Sequence, residues 1–401
     1  MEKQREYQDF IFFANIMSKT LGYDFLDSAS LSWQKVLLRC YFFLCIACNC
    51  YEASFVALRI IQWESVAGSP SKIMRQAIHF YYMLSAEVKF VTLIIYRKRL
   101  CTLILGLQEL YPTDDSLRRE YEVNRYHLPR TTRYVLYFYY FVMALMALGP
   151  LLQSFTMYIL QGNDAQFLFL RIFPTRLSFR VDTPLGYAVA YIMDFTYSQF
   201  IVNVSLGTDL WMMCVSSQIC MHFGYLAKKL AAYLPSRERE RADCEFLCSF
   251  VQKHQQILSL HKEVNQVFGL LLASNLFTTA SLLCCMAFYT VVQGLNAAGI
   301  SYMMLFASVA AQFCMVSSYG QRLIDLSFSI YMAAYLQNWY DRSIRYKKDL
   351  LLIMARAQRP AEISAKGIIV ISLDNFKILM SITYRFFAVI RQTVGSDLFR
   401  E

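Results

Sequence analysis

The sequence predicts an all-α membrane protein: seven transmembrane helices in an inverted topology (N-terminus inside, C-terminus outside) with a helical anchor on the cytoplasmic side. Three observations carry that expectation. The 401 residues are 57% hydrophobic and only 17% charged, where soluble domains run at roughly 45–50% and about 25%. Seven stretches stay apolar for the ~20 residues that a bilayer core requires. Finally, Lys and Arg collect on alternate linkers, as they do on cytoplasmic loops.

Taken in order, residues 1–36 form a cytoplasmic segment. Within "MEKQREYQDFIFFANIMSKT" the apolar run from Phe10 to Met17 is too short to cross a bilayer, and no cleavage site follows it. It reads as a short re-entrant or interfacial helix, not as a cleaved signal peptide. The spans follow at 37–59, 76–96, 132–160, 185–210, 266–290, 300–324 and 367–390. The third, "RYVLYFYYFVMALMALGPLL", carries aromatics at its interfacial end and a kink-forming Pro150. With Arg59 and Arg133 assigned to the adjoining loops, the N-terminal segment and the linkers after spans two, four and six hold 26 of the 39 Lys and Arg, and the opposite side holds 8. That bias orients the chain.

The net charge of +10 therefore belongs to topology and not to a nucleic-acid surface. The 12 Cys fall within spans or on the cytoplasmic side, so no extracellular disulfide framework is expected. Cys45 and Cys48 have the spacing of a metal half-site, but they lie in an apolar helix without a matching pair and read as packing residues. His127, His222, His254 and His261 read as cytoplasmic surface residues; His79, beside Phe80, Tyr81 and Tyr82, lies near the extracellular start of span two. No motif supports catalysis, a cofactor or a metal.

Ionisable groups inside spans are expensive and seek partners or a wet cavity. Glu52, Glu87, Lys89 and Asp194 are such groups. Lys89 is expected to pair with Glu87 or Asp194, the alternative being Asp194 at the floor of a polar-lined pocket. The sequon Asn203-Val204-Ser205 lies inside span four and is expected to be unglycosylated.

Both long cytoplasmic linkers read as helix. Across 325–357, Tyr340, Ile344, Leu351 and Met354 form one apolar stripe, with Arg342, Arg345, Lys348 and Asp349 facing elsewhere, and Gln358-Arg359-Pro360 ends the helix. Such a stripe needs the membrane surface, a neighbouring helix or another subunit. Trp339 and Tyr340 suit a packed interface.

The order Tyr335, Trp339-Tyr340, Lys347-Lys348, Met354, Gln358-x-Pro360, Gly367, Leu373, Phe376, Thr383-Tyr384, Phe387 resembles the C-terminal signature of insect odorant receptors. That resemblance implies a ligand-gated, weakly selective cation channel. In it an odour-specific subunit assembles with a common (Orco-type) co-receptor in a heterotetramer, in the plasma membrane of olfactory sensory neurons at the dendrite or cilium. Residues 325–366 would be the cytoplasmic subunit anchor, through Trp339, Tyr340, Ile344, Leu351 and Met354. Residues 367–391 would line the pore, through Met380, Tyr384, Phe387 and Arg391, with Phe387 at the gate and Arg385 a departure from the family pattern; 392–401 would be an extracellular tail. The odorant cavity would lie within 37–324. Its facing residues are expected to be His79, Phe80 and Met83; Met146, Gly149 and Gln153; Tyr191 and Phe195; Tyr302 and Phe306. Besides the volatile and the co-receptor, the implied partners are membrane lipids and not nucleic acid. The alternatives are a G-protein-coupled-type receptor, disfavoured by the inverted topology, and a gustatory-receptor-like channel, disfavoured by "RFFAVIRQ" after Thr383-Tyr384.

Overall fold

In the computed structural model the described residues are 7, 10–20, 32–61, 70–127, 130–161, 170–173, 181–294, 296–365, 367 and 369–398. They form twelve α-helices. Helix α1 (Phe12–Thr20) precedes α2 (Ser32–Ile61), α3 (Pro70–Ile95), α4 (Arg97–Leu110), α5 (Asp115–Tyr121), α6 (Val123–Tyr126) and α7 (Arg130–Gln161). Then come α8 (Pro184–Ala232), α9 (Glu240–Gln293), α10 (Ala297–Tyr335), α11 (Ile344–Ala357) and α12 (Leu373–Leu398). A minimal hairpin, β1 (Ser364–Ala365) against β2 (Ile369–Val370), lies between the last two. Its turn places Gly367 at φ +77°, where a side chain would be strained.

Helices α2, α3, α7, α8, α9, α10 and α12 coincide with the seven apolar stretches. Among the described residues five of them, α3, α7, α8, α9 and α10, are long and apolar enough to cross a membrane. Their ends are set by local chemistry. Thr183 Oγ1 accepts the Gly186 N–H at 3.2 Å at the start of α8, with Pro184 in the first turn. Asn296 Oδ1 does the same for Gly299 at 2.7 Å on α10, and Gly294, at φ +68°, closes α9.

Two expectations change. The long cytoplasmic linkers are not loops between spans, because the spans themselves continue. Helix α8 has 49 residues and α9 has 54, about 75–80 Å at 1.5 Å per residue, against a hydrocarbon core of about 30 Å. Residues 201–227 of α8 are buried without interruption, so this helix is a central pillar that every neighbour packs against. Beyond the apolar stretches α8 stays buried on all sides to Ala227, and the first half of α9 buries one face. For that reason His222, His254 and His261 are not surface residues but 4%, 5% and 8% exposed. His222 stands edge-on to Tyr121, and His254 packs between Phe223 and Phe250.

The second change concerns 325–357, which is not one helix. Helix α10 runs on to Tyr335, a 3₁₀ turn occupies Trp339–Asp341, and α11 restarts at Ile344 under a cap in which Ser343 Oγ accepts the Tyr346 N–H at 3.3 Å. The break rotates the stripe. Tyr346, Leu350, Ile353 and Ala357 face the chain, whereas Tyr340, Ile344 and Leu351 are 66%, 73% and 61% exposed. Met354 and Trp339 are half-buried.

At the other end of the chain α1 is packed into the core. Trp211 Nε1 donates to Ser18 Oγ at 2.6 Å, and the Tyr7 hydroxyl donates to the Ile104 carbonyl at 3.0 Å. Residues 1–6, 21–31 and 399–401, parts of the expected N-terminal segment and tail, lie outside the described residues.

Candidate functional site

Helices α3, α7, α8 and α10 converge on a cavity of about 590 Å³ of atom-free space, its open mouth included. Ile78, His79 and Tyr82 come from α3, Met143, Met146 and Ala147 from α7, Ser198, Ile201 and Val202 from α8, and Leu305 from α10. Ile172 and Phe173 complete the wall from the connection before α8. Phe173 stands edge-on to His79 and to Tyr197, each at 5.2 Å between centroids. The walls are apolar, with few groups able to fix an orientation: the His79 imidazole, whose Nε2 is 3.5 Å from the Tyr302 hydroxyl, and the Tyr82 hydroxyl. An apolar cleft with a few convergent polar groups is the form of a small-molecule site.

Of the ten residues expected to face the ligand, His79 and Met146 line this cavity. Tyr302 contacts His79 from behind and packs at a tilt against Tyr289, with ring centroids 4.4 Å apart. Tyr191 donates its hydroxyl to the Ala147 carbonyl. Phe80 and Met83 turn away into a second apolar cluster with Phe90, Tyr197 and Phe200. Phe306 packs on the main core, while its neighbour Leu305 meets the cavity. Phe195 is 43% exposed. Gly149 is half-buried, and Gln153 is exposed at the level where Leu170 N–H reaches Ser154 Oγ, beyond the cavity roof. The real face of α3 (78, 79, 82) is the expected one (79, 80, 83) turned by one residue, about 100° of helix.

The charges inside the helices pair differently from the expectation. Asp194 is fully buried and held by Arg171 at 2.5 Å, while its other oxygen accepts the Phe173 N–H at 3.4 Å. It therefore pins the segment that roofs the cavity and is not the pocket floor. Lys89 pairs with Asp209, at 2.9 Å, both nearly inaccessible. In the sequence Asp209 is inconspicuous, because it closes the apolar stretch of span four. Its second oxygen accepts Gln312 Nε2 at 2.6 Å, and Ser205 Oγ lies 3.2 Å from Lys89 Nζ. Glu87 is half-buried, and the Glu52 side chain lies outside the described residues. Asn203 is buried and accepts the Tyr140 hydroxyl at 2.9 Å. Cys45 has no described side chain, and among the described residues no cluster of His, Cys, Asp or Glu could hold a metal.

Comparison with known proteins agrees with this architecture. A family model described as 7tm Odorant receptor matches residues 69–384. The chain belongs to the insect odorant receptor family. It is 64% identical to Odorant receptor 49a of Drosophila melanogaster over 394 residues, covering 98% of this chain and 100% of the relative. It is 30% identical to Odorant receptor 85f of the same fly, over 98% and 99% of the two chains. The solved structure of the olfactory receptor OR5 from Machilis hrabei in complex with eugenol shares the fold at 15% identity, with a TM-score of 0.73 over 97% of this chain and 99% of that one.

In this odorant receptor the last helix, α12, leaves much of its apolar surface unpacked. Ile378, Ile382, Tyr384 and Val389 are more than half exposed, whereas Thr383 and Leu379 face the core. Met380 and Phe387 are half-buried and Arg385 is exposed; the side chain of Arg391 lies outside the described residues. The stripe of Met380, Tyr384 and Phe387 thus lies along the margin between the packed and the open face of α12. Ile371, just ahead of the helix, presses its carbonyl against Gly320 of α10, a close approach that only glycine permits.

Proposed function

We propose that this receptor is the odorant-binding subunit of a ligand-gated, non-selective cation channel that assembles with an Orco-type co-receptor. It would convert capture of a volatile into cation current at the plasma membrane of olfactory neuron dendrites. The observation that carries the reading is the apolar cavity formed by α3, α7, α8 and α10, whose lining chemistry suits a neutral volatile. Two exposed surfaces support the assembly. The outward stripe of Tyr340, Ile344 and Leu351 is apolar, polar-flanked and left uncovered by the chain's own helices. The open face of α12 offers a pore wall, with Phe387 positioned to gate by an apolar constriction.

In this mechanism odorant binds more tightly to the arrangement of α3, α8 and α10 that accompanies the open pore. A tenfold preference biases opening by about 1.4 kcal/mol. The test is co-expression with the co-receptor in a cell lacking suitable G proteins, exposed to a panel of volatile esters, alcohols, acids and aromatics. Odour-evoked cation current supports the proposal, and silence across the panel favours a G-protein-coupled readout. In a responding channel, Phe387→Ala changes permeation or resting leak; unaltered currents remove Phe387 from the gate.

A further inference from the structure

We infer that the buried Lys89–Asp209–Gln312 network is the positioning element that carries occupancy of the odorant cavity to α12. The inference rests on the channel reading above. It starts from a spacing that recurs on three helices. Tyr82 on α3, Val202 on α8 and Leu305 on α10 line the odorant cavity. Seven residues further along each helix stand Lys89, Asp209 and Gln312. Seven residues are two turns, about 10.5 Å along nearly the same face. The three helices therefore run parallel, and cavity and network are two levels of one interface.

Asp209 fixes the register of that interface. One of its carboxylate oxygens accepts from Lys89 on α3 at 2.9 Å and the other from Gln312 on α10 at 2.6 Å. A carboxylate on the central pillar thus ties together two helices that both wall the ligand cavity. Tyr82 adds a direct link between the levels, since it lines the upper cavity and a small lower polar one shared with all three network residues. Its hydroxyl is bonded to that of Tyr139, which also borders the lower cavity. The way out to the pore helix is one residue long. Phe313, adjacent to Gln312, packs against Phe376 of α12 with ring centroids 6.2 Å apart.

Stability alone is a weak reason for such a pair. Removing two charges from water costs about what their attraction returns, and apolar replacements of similar size are often neutral or stabilising. Geometry is what the pair supplies. If a ligand changes the separation of α3 and α10 at the cavity, either one of the two bonds to Asp209 breaks or α10 moves with α3. Both outcomes displace Phe313 against Phe376.

The experiment compares wild type with Gln312→Leu and with the double variant Lys89→Met/Asp209→Leu, all in a Ser381→Cys background that places a reporter on the exposed side of α12. The probe is a volatile selected on the wild-type chain, from the panel above, by its upward shift of thermal stability. Two readouts are taken on purified protein: that stability shift, for occupancy, and the rate at which a thiol reagent modifies residue 381, measured by mass spectrometry with and without the volatile. The expected result is preserved occupancy with a roughly tenfold loss of the volatile-dependent change in labelling, and rescue by Asp209→Glu in place of the leucine while Lys89 is retained. Full labelling response in the variants overturns the inference, and so does loss of occupancy together with response, which would make the network part of the cavity wall. Should the double variant fail to fold, Gln312→Leu alone decides. A wild-type chain that shows the labelling response but no current would refute the channel reading and leave this coupling standing.

Discussion

Gly320 offers a direct measure of how tightly α12 is tied to the bundle. It sits on α10 opposite the Ile371 carbonyl, and a methyl group built on it falls within van der Waals contact of that oxygen and of the Ile371 side chain. The obstacle is backbone, held in turn by the Ile371 N–H donating to the Ile363 carbonyl at 2.9 Å, so it cannot swing aside. Gly320→Ala should therefore incur an overpacking cost near the upper end of the usual range, about 3 kcal/mol. Against this stands a gain of about 1 kcal/mol from replacing glycine in a helix interior. The net expectation is destabilisation by about 2 kcal/mol. Gly106 is the internal control. It lies within α4, and its added methyl would meet only the Leu260 side chain at 3.4 Å. Gly106→Ala should keep the propensity gain and stabilise by about 0.5–1 kcal/mol.

The two substitutions thus have opposite signs although both are Gly→Ala in a helix. Thermal unfolding of the detergent-solubilised receptor reads the difference. For a chain of this length each kcal/mol corresponds to a shift on the order of 1–2 °C, so the two midpoints should separate by several degrees. Equal midpoints, or a stabilised Gly320→Ala, would show that α10 and the segment leading into α12 are not in contact. In the channel proposed above, the same substitution should move α12 outward and alter resting leak, whereas Gly106→Ala should leave it alone.

Three further expectations follow from the same geometry. Val202→Phe projects a ring into the candidate cavity and should reduce sensitivity to every activating volatile by about tenfold or more with unchanged surface expression; a wild-type dose-response curve would remove the cavity from ligand recognition. Ile344→Glu and Leu351→Glu, on the exposed face of α11, should abolish co-purification with the co-receptor while the isolated chain keeps its melting midpoint; Leu350→Ala, on the buried face, should instead lower that midpoint through a loss of about 2–5 kcal/mol. His254 and His261, on the part of α9 that precedes its apolar stretch, are held neutral by burial and by the charge of Arg356, both pushed down to about 4. The unfolded chain takes up these protons near pH 6.5 and the folded one does not, so their contribution is complete above pH 6.5 and is lost as the pH falls toward 4. Stability should decline over that window, on the order of 3 kcal/mol for each histidine, and His254→Leu should flatten the curve; a flat wild-type profile would contradict their burial.

Much of the fold was legible because hydrophobic length is a property of sequence alone. The seven stretches coincide with helices. What composition did not reveal is where those helices stop. The apolar stretch of span four ends at residue 210, yet α8 continues to Ala232, with Lys228 and Lys229 as ordinary exposed positions of the helix. A hydropathy threshold detects the edge of the lipid and not the edge of the helix. The buried histidines were misplaced for the same reason, since a helix in water that packs on its neighbours hides residues no loop would hide.

The candidate site was legible in period but not in phase. Helical spacing grouped His79, Phe80 and Met83, and Tyr302 with Phe306, on common faces, and both faces turn at least partly inward; but the cavity lies one residue to the side, at Ile78, His79, Tyr82 and Leu305. A span packed by protein on several sides carries apolar residues nearly all round, so its hydrophobic pattern has no sharp maximum to mark which side holds the ligand. Charge could have supplied the missing phase. An ionised group within a span must face a partner, so Lys89, Asp209 and the amide of Gln312 mark the mutual faces of α3, α8 and α10. Stepping back seven residues from each along its helix arrives at Tyr82, Val202 and Leu305, three residues that line the cavity. The polar residues that looked least compatible with a membrane helix are thus the ones that locate the apolar site.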